Sequence, residues 1–302
     1  MVGAMHAAEP AFDAYHRELW GLCYRMTGVA ADADELVQET FLRAMERPPR
    51  RPGPLGPWLR TVAMNLARDR LRRRRRRTYV GPWLPSPVDV ADLVADTPSP
   101  EGRYSLSESL SFAFLLALEA LTPQQRAVLL LRDVFDLSAA ETGACLSMSD
   151  ANVRVTLHRA RRRMTSYDTC PAVVDAAGRA RAQAALASLL SAVAAGDLAQ
   201  ACALFAGDAV ALSDGAGEFH ASRVPLLGPA RIVKFYAGIA RTDRVESVEV
   251  RLLNGLPVLV GQSREEGRHP RRWVQAVHVD DAGRIVGLYS VVATRKLTAV
   301  FA

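Results

Sequence analysis

The hydrophobic spacing changes character part-way along this chain, and no single architecture accommodates both halves. In "DADELVQETFLRAM", Leu36, Val37, Phe41, Ala44 and Met45 recur at helical spacing. Near the other end, "ESVEVRLL", "LPVLVGQ", "RRWVQAVHVDD" and "RIVGLYSVV" are apolar or alternating runs, several of them separated by turn signals at Asn254-Gly255 and Asp281-Ala282-Gly283. The pattern predicts helices over 11–80 and 106–166, then a segment 180–302 that begins helical and ends in an antiparallel meander. Such an order describes a multidomain chain, all-α first and α+β last, and 302 residues suffice for two or three cores. "ARAQAALASLLSAVAAGDLAQACALFAGDAVALSDG" reads as two amphipathic helices broken at Gly196-Asp197, ahead of a sheet that encloses a cavity.

Breakers divide the helical part. "RPPRRPGPLGP" (47–57) reads as a loop, and Pro57 suits the first turn of a helix striped by Trp58, Leu59, Val62, Ala63 and Leu66. Before it, Asp32 and Glu35 have the spacing of an N-cap and its capping-box partner. Residues 81–105 read as an extended Pro/Asp-rich linker carrying Asp89, Asp92, Asp96 and Glu101. It is a soluble tether or, by charge complementarity, a strand able to lie against nearby arginines.

Charge is distributed unevenly. The formal net charge is +6, and all but two (Lys234, Lys296) of the 38 basic residues are arginines. The helix that begins near Pro57 runs into six consecutive arginines, Arg72–Arg77, with Asp69 as the one acid between 60 and 80. Such a concentration favours a polyanion over a small acidic substrate. A second basic element follows a short turn in "LSAAETGACLSMSDANVRVTLHRARRRM". Ser138 and Glu141 form a capping box there, Ser149 caps the next helix, and Val153, Leu157, Ala160 and Met164 make its buried stripe. The other faces carry Arg154, Val155, His158, Arg159, Arg161, Arg162 and Arg163, the arrangement of a helix-turn-helix that enters a major groove.

Other classes are disfavoured. Cys23, Cys145, Cys170 and Cys202 stand alone, without metal-ligand or disulfide spacing, so no metal site is expected. No apolar run reaches membrane-spanning length and the first residues do not read as a signal peptide, so a soluble cytoplasmic protein without membrane contact is expected. Asp214, His220, Trp273, His278 and Tyr289 are candidates to face the C-terminal cavity, but no acid/base pair has diagnostic spacing. Catalytic residues and cofactors are therefore assigned to none.

"DADELVQETFLRAM", "WLRTVAMNLARDRLRR" and "LTPQQRAVLLLRDVFDLSAAETGACLSMSDANVRVTLHRARRRM", in this order, resemble the extracytoplasmic-function (ECF) sigma factors of bacterial RNA polymerase. The final third is similar to a SnoaL-like domain of the nuclear-transport-factor-2 fold. Together with "YVGPWLPSP", that combination resembles the SigJ-like subfamily. The family's glycine-rich DGGGK-type motif corresponds to "SDGAGEF" (213–219) and its NPDKL-type motif to "VATRKL" (292–297), both altered here. The resemblance implies a region 2 type domain over 8–80, the linker 81–105, a region 4 type helix-turn-helix over 106–168 and a cone-like SnoaL domain over 177–302.

It also implies roles and partners: core RNA polymerase, through the clamp coiled coil of the largest subunit and the flap of the second largest, and promoter DNA. Asp34, Glu35, Gln38, Glu39 and Arg43 would meet the clamp. Val62 and Asn65 would take a flipped base at the −10 element, with Arg72, Arg73, Arg74, Arg75, Arg76 and Arg77 tracking phosphates. Arg154, Val155, His158, Arg159 and Arg162 would read or grip the −35 element. Trp83, Pro85, Asp214, Gly215 and Gly217 would join the SnoaL-like domain to the linker and first domain, with a small ligand as a possible modulator. Two other readings stay open from the residues alone: a ligand-sensing helix-turn-helix regulator independent of polymerase, and a SnoaL-like cyclase or isomerase fused to a DNA-binding module.

Overall fold

The computed structural model of the chain describes residues 9–47, 54–76, 78–94, 102–169, 175–242, 244–264 and 267–301, without the side chains of 9–13, 92, 94 and 169. Arg77, Asp96, Glu101, Cys170, the Asp92 side chain and residues 48–53 of the proline-rich loop lie outside that description. The chain divides into two compact units, Met1–Arg77 with Val90–Ala172 and Thr78–Asp89 with Val173–Ala302.

In the first unit, α1 (Glu9–Thr27), α2 (Ala30–Glu46) and α3 (Leu55–Arg75) pack on one another around Leu22, Tyr24, Met26, Leu36, Leu59, Met64 and Leu71. Two local expectations change here. The N-cap of α2 is Val29, without a side-chain cap, and Asp32 sits inside the first turn. Its carboxylate instead accepts a 2.6 Å bond from Arg70 Nη1, so a part-buried ion pair displaces the local capping pattern. Met45, placed on the apolar stripe by its spacing, is half exposed, as is Leu42.

The same unit continues with α4 (Phe112–Ala117), α5 (Pro123–Leu129, extended by a π-helical turn, Leu130–Val134), α6 (Ala139–Leu146) and α7 (Asp150–Thr169). Local chemistry sets their starts. Thr122 with Gln125 and Ser138 with Glu141 form complete capping boxes, and Ser149 Oγ accepts from the Asn152 amide. Ser147, with φ 55°, turns the chain between α6 and α7, and Val153, Leu157, Ala160 and Met164 are buried.

The two helical pieces, expected as separate domains, pack as one body. α3 lies against α5 and α6. Buried Arg25 bonds Ser109 Oγ (2.7 Å), Leu106 O and its own helix at Gly21 O (both 2.9 Å). Burial lowers its guanidinium to about 9, which leaves it charged at neutral pH.

The second unit holds α8 (Ala176–Ala195), α9 (Leu198–Ala203), α10 (Pro229–Ala240) and a six-stranded sheet. The strands are β1 (Phe205–Asp214), β2 (Leu226–Leu227), β3 (Val245–Leu253), β4 (Leu256–Ser263), β5 (Arg272–Val279) and β6 (Ile285–Val291), in the order β2-β1-β6-β5-β4-β3. Gly196 ends α8 at φ 70° and Asp197 caps α9, as the sequence predicts. β1 departs from expectation: "FAGDAVALSD" reads as helix but forms a strand parallel to β6. Ala209, Ala211 and Ser213 alternate inward along it, and pairing with a strand some 75 residues away (Ser213 with Ser290) overrides alanine's helical preference. α8 and α10 pack on the sheet through Leu186, Leu189, Ile232 and Val233.

Residues 78–89 are irregular yet belong to this unit, so the first half of the expected linker is not a free tether. Leu84, Pro85, Ser86, Pro87 and Val88 are all buried. Burying a leucine or valine side chain contributes about 1.5–3 kcal/mol.

Candidate nucleic-acid and polymerase surfaces

The recognition helix α7 presents Arg154, Val155, His158, Arg159 and Arg162 to solvent, while its stripe at 153, 157, 160 and 164 faces the core. Val155, half exposed, is an apolar atom group of the kind that meets a thymine methyl. Two further arginines of this helix are engaged within the fold. Arg161 forms a bidentate pair with buried Asp133, at 2.8 and 2.6 Å, and Arg163 Nη1 bonds Ala120 O at 2.8 Å. The bond to Asp133 holds the Arg161 guanidinium above its ordinary range.

Helix α3 carries its charge differently. Arg70 bridges Asp32 and Glu35, at 2.6 and 2.9 Å. Arg72 pairs with Asp69 at 3.2 Å, and Arg73 Nε bonds the Asp69 carbonyl at 3.3 Å. Arg74 donates to both oxygens of Glu119, at 2.7 and 2.6 Å, and to Thr27 O at 2.8 Å. Arg75 donates to the carbonyls of Glu119 (2.8 Å) and Leu121. Glu119 also takes Arg126, fully buried, at 2.7 Å. Burial would raise the Glu119 carboxyl, but Arg126 and Arg74 overrule it and hold the group below its usual value. In this arrangement Arg74 and Arg75 staple the end of α3 to the second helical piece, while Arg72, Arg73, Arg75 and Arg76 keep exposed surface.

Val62 and Asn65 are half-buried on α3. The helix that carries them packs against α6.

On α2, Asp34, Glu35, Gln38 and Arg43 are exposed and Glu39 is half-buried. Asp34 accepts from Trp20 Nε1 at 2.6 Å, and Glu39 pairs with Arg43 at 2.8 Å. Leu42 and Met45, at i+4 and i+7 from Gln38, add an apolar strip that the residue pattern missed.

In the second unit, the segment 78–89 closes on Asp214. This fully buried carboxylate accepts from Tyr79 Oη (2.5 Å), the Leu84 amide (2.7 Å) and the Ala216 amide (3.2 Å), and pairs with Lys296 Nζ. Lys296 also donates to Leu84 O and lies 4.4 Å from the Trp83 ring centroid and 5.0 Å from that of Tyr79. Asn254, at φ 50° in the β3–β4 turn, exchanges two 2.9 Å bonds with the Val88 backbone.

Gly215 and Gly217 serve closeness. A Cβ on Gly215 would sit 2.8 Å from the Ala221 Cβ, and Gly217 has φ 82° with Val80 against it. Of the predicted set, Trp83, Asp214, Gly215 and Gly217 thus converge, and Pro85 is buried beside them in sequence. Tyr79, Asn254 and Lys296 were not predicted. Among the cavity candidates, His220 and Trp273 line a cavity, whereas Asp214, His278 and Tyr289 are absent from its lining. No group of three His, Cys, Asp or Glu able to hold a metal occurs among the described residues. No helix there is long and apolar enough to cross a membrane.

Sequence profiles of Sigma-70 region 2 and Sigma-70 region 4 match residues 11–77 and 111–164. The ECF RNA polymerase sigma factor SigJ of Mycobacterium tuberculosis is 33% identical over 297 residues, spanning 95% of this chain and 92% of SigJ. This chain belongs to the ECF RNA polymerase sigma factors. SigG of the same organism is 36% identical over 66% of this sigma factor and 59% of SigG. The crystal structure of M. tuberculosis SigJ superposes with a TM-score of 0.71 at 28% identity, covering 96% of this chain and 98% of that one. The likeness therefore includes the α+β unit, read from its sequence as SnoaL-like. As a sigma factor the protein is a non-enzymatic transcription initiation factor, which removes the cyclase and polymerase-independent readings.

Proposed function

We propose that the first unit delivers core polymerase to a two-part promoter and that the second unit controls this by holding residues 78–89. In this reading α2 docks on the polymerase clamp through Asp34, Glu35, Gln38, Glu39 and Arg43. The region 4 part meets the polymerase flap. α7 reads the −35 element through Arg154, Val155, His158 and Arg159, and Arg162 grips phosphate. α3 receives a −10 base at Val62 and Asn65.

Elements centred near −10 and −35 lie about 25 base pairs apart, roughly 85 Å of duplex at 3.4 Å per base pair. Direct packing of α3 on α6 is incompatible with that span, because a 20-residue helix is only about 30 Å long. Promoter binding then requires the two helical pieces to part, releasing Arg74 and Arg75 from Glu119 and the nearby carbonyls to track DNA. Residues 78–89 lie between those pieces in sequence, so whatever holds this segment limits how they separate.

The observation that carries the regulatory reading is the buried Asp214 carboxylate, shared by Tyr79, the Leu84 amide and Lys296. In vitro transcription with core polymerase tests it, comparing the full chain, Asp214→Asn and a chain ending at residue 170. A promoter-dependent transcript whose yield changes in the two altered proteins is expected. Equal yields from all three would remove the regulatory role, and no promoter-dependent transcript from any would remove the assignment of promoter contacts.

A further inference from the structure

The core of the second unit contains a cavity of about 440 Å³ between α8, α10 and the sheet. Protein interiors leave few voids larger than a water molecule, and this volume lies in the range of small-molecule sites. Its walls are mainly aliphatic and aromatic, among them Leu189, Ile232, Phe235 and Leu288. The Trp273 ring forms another wall: it lies against Gly261, where a Cβ would fall 2.0 Å from it, and its Nε1 donates to Ser263 Oγ at 2.9 Å.

Against this apolar background stands a row of polar groups. Ser213, Ser290 and Gln275 are successive register partners on β1, β6 and β5, and all three line the cavity. Tyr236 of α10 bonds both serine hydroxyls, at 3.0 Å to Ser213 and 2.8 Å to Ser290. Two bonds among three hydroxyls use two of their three hydrogens, and no further bond among the described residues takes the third. Both serines are almost fully buried, at 3% and 4% exposure. His269, also in the lining, has a buried Nδ1 without a partner among the described residues.

We infer that this cavity binds a ring-bearing, largely apolar small molecule with one carbonyl acceptor, held by the Ser213–Tyr236–Ser290 hydroxyls, and that its occupancy is felt by the segment 78–89. The second part rests on the regulatory reading above and on one step of β1. Ser213 projects into the cavity, and the next residue, Asp214, projects to the opposite face, where it holds Tyr79 and Leu84. A ligand that fixes Ser213 and Ser290 fixes the β1–β6 pair from which Asp214 projects.

Two probes of the same shape, 9-fluorenone and fluorene, differ in the carbonyl and test the site on the full chain. Calorimetric titration is expected to show saturable binding, tighter for 9-fluorenone by about 3- to 10-fold, the worth of one neutral hydrogen bond. Tyr236→Phe and Ser290→Ala are expected to reduce that preference while fluorene binds as before. Absence of saturable binding of either probe, or equal affinity for both in the wild type, overturns the site.

Hydrogen exchange of the peptide containing Leu84 tests the coupling. Exchange is expected to slow at least two-fold when 9-fluorenone is bound, and unchanged exchange overturns the coupling. Asp214→Asn without probe serves as the separate check on the segment's attachment. Faster exchange there supports that attachment, and unchanged exchange removes the regulatory reading while the titrations still decide the cavity.

Discussion

Two helices of the first unit are equally conspicuous for arginine, and each divides it differently between the fold and solvent. On α3, Arg70, Arg72, Arg74 and Arg75 are bound to carboxylates or carbonyls. On α7, Arg154, Arg159 and Arg162 stand exposed above a fully formed buried stripe, while Arg161 and Arg163 are bound to Asp133 and to the Ala120 carbonyl. Formal charge therefore overstates what either helix offers a polyanion in this arrangement, although Arg72, Arg73, Arg75 and Arg76 of α3 keep exposed surface. A part-buried acceptor decides the difference: Glu119 gathers Arg74 and the fully buried Arg126, so that node acts as structure first.

The strongest way to break this contrast is to remove the acceptor. Glu119→Ala leaves Arg126 charged and buried, and is expected to cost about 3 kcal/mol of stability, read by urea unfolding, because breaking a buried pair strands its partner. Arg159→Ala on α7 is expected to stay within about 0.5 kcal/mol, as for other exposed sites. Comparable losses from both would erase the distinction.

Next in size is base reading. Arg154→Ala is expected to lose about 1–3 kcal/mol of discrimination at one −35 position, measured by competition between base-substituted promoters. Arg74→Ala should leave the −35 preference unchanged.

Smaller still is the effect on salt dependence. Arg162→Ala is expected to lower the slope of log affinity against log salt by about 0.9, for one phosphate contact on duplex. For the free chain Arg74→Ala should not change that slope. In the complex with core polymerase it should, if opening releases the α3 arginines to DNA.

The smallest effect is a pH dependence. The Glu119 carboxyl is held below its ordinary value, so its contribution is complete above the unfolded value of about 4.3 and fades as pH falls through the lower folded value. The Tm gap between wild type and Glu119→Gln should therefore narrow below about pH 4.

The features legible in the sequence were those decided within a few residues. The Ser138–Glu141 capping box, the Ser149 cap, the α7 stripe and the Gly196-Asp197 break all follow from local geometry. The misreadings were non-local. Asp32 looked like a cap because its partner Arg70 is 38 residues away. β1 looked helical because only β6 makes it a strand. That Arg74 and Arg75 of the arginine run meet Glu119 was hidden because Glu119 carries no signature of its own.

At Asp214 the family resemblance led to Trp83, Asp214, Gly215 and Gly217. It did not lead to Tyr79 or Asn254, whose residue types are ordinary. Lys296 did leave a trace, as one of two lysines in a chain that otherwise uses arginine and as part of "VATRKL". Leu42 and Met45 left a weaker one, as apolar residues whose side of α2 only packing reveals.

The grip on residues 78–89 has a further consequence. Its charges, Asp214 and Lys296, are sealed from solvent, and its other contacts are backbone amides, a carboxamide and two aromatic rings. Mobile ions cannot reach such a pair to weaken it. A rise in ionic strength would weaken phosphate contacts on DNA while leaving this fastening intact.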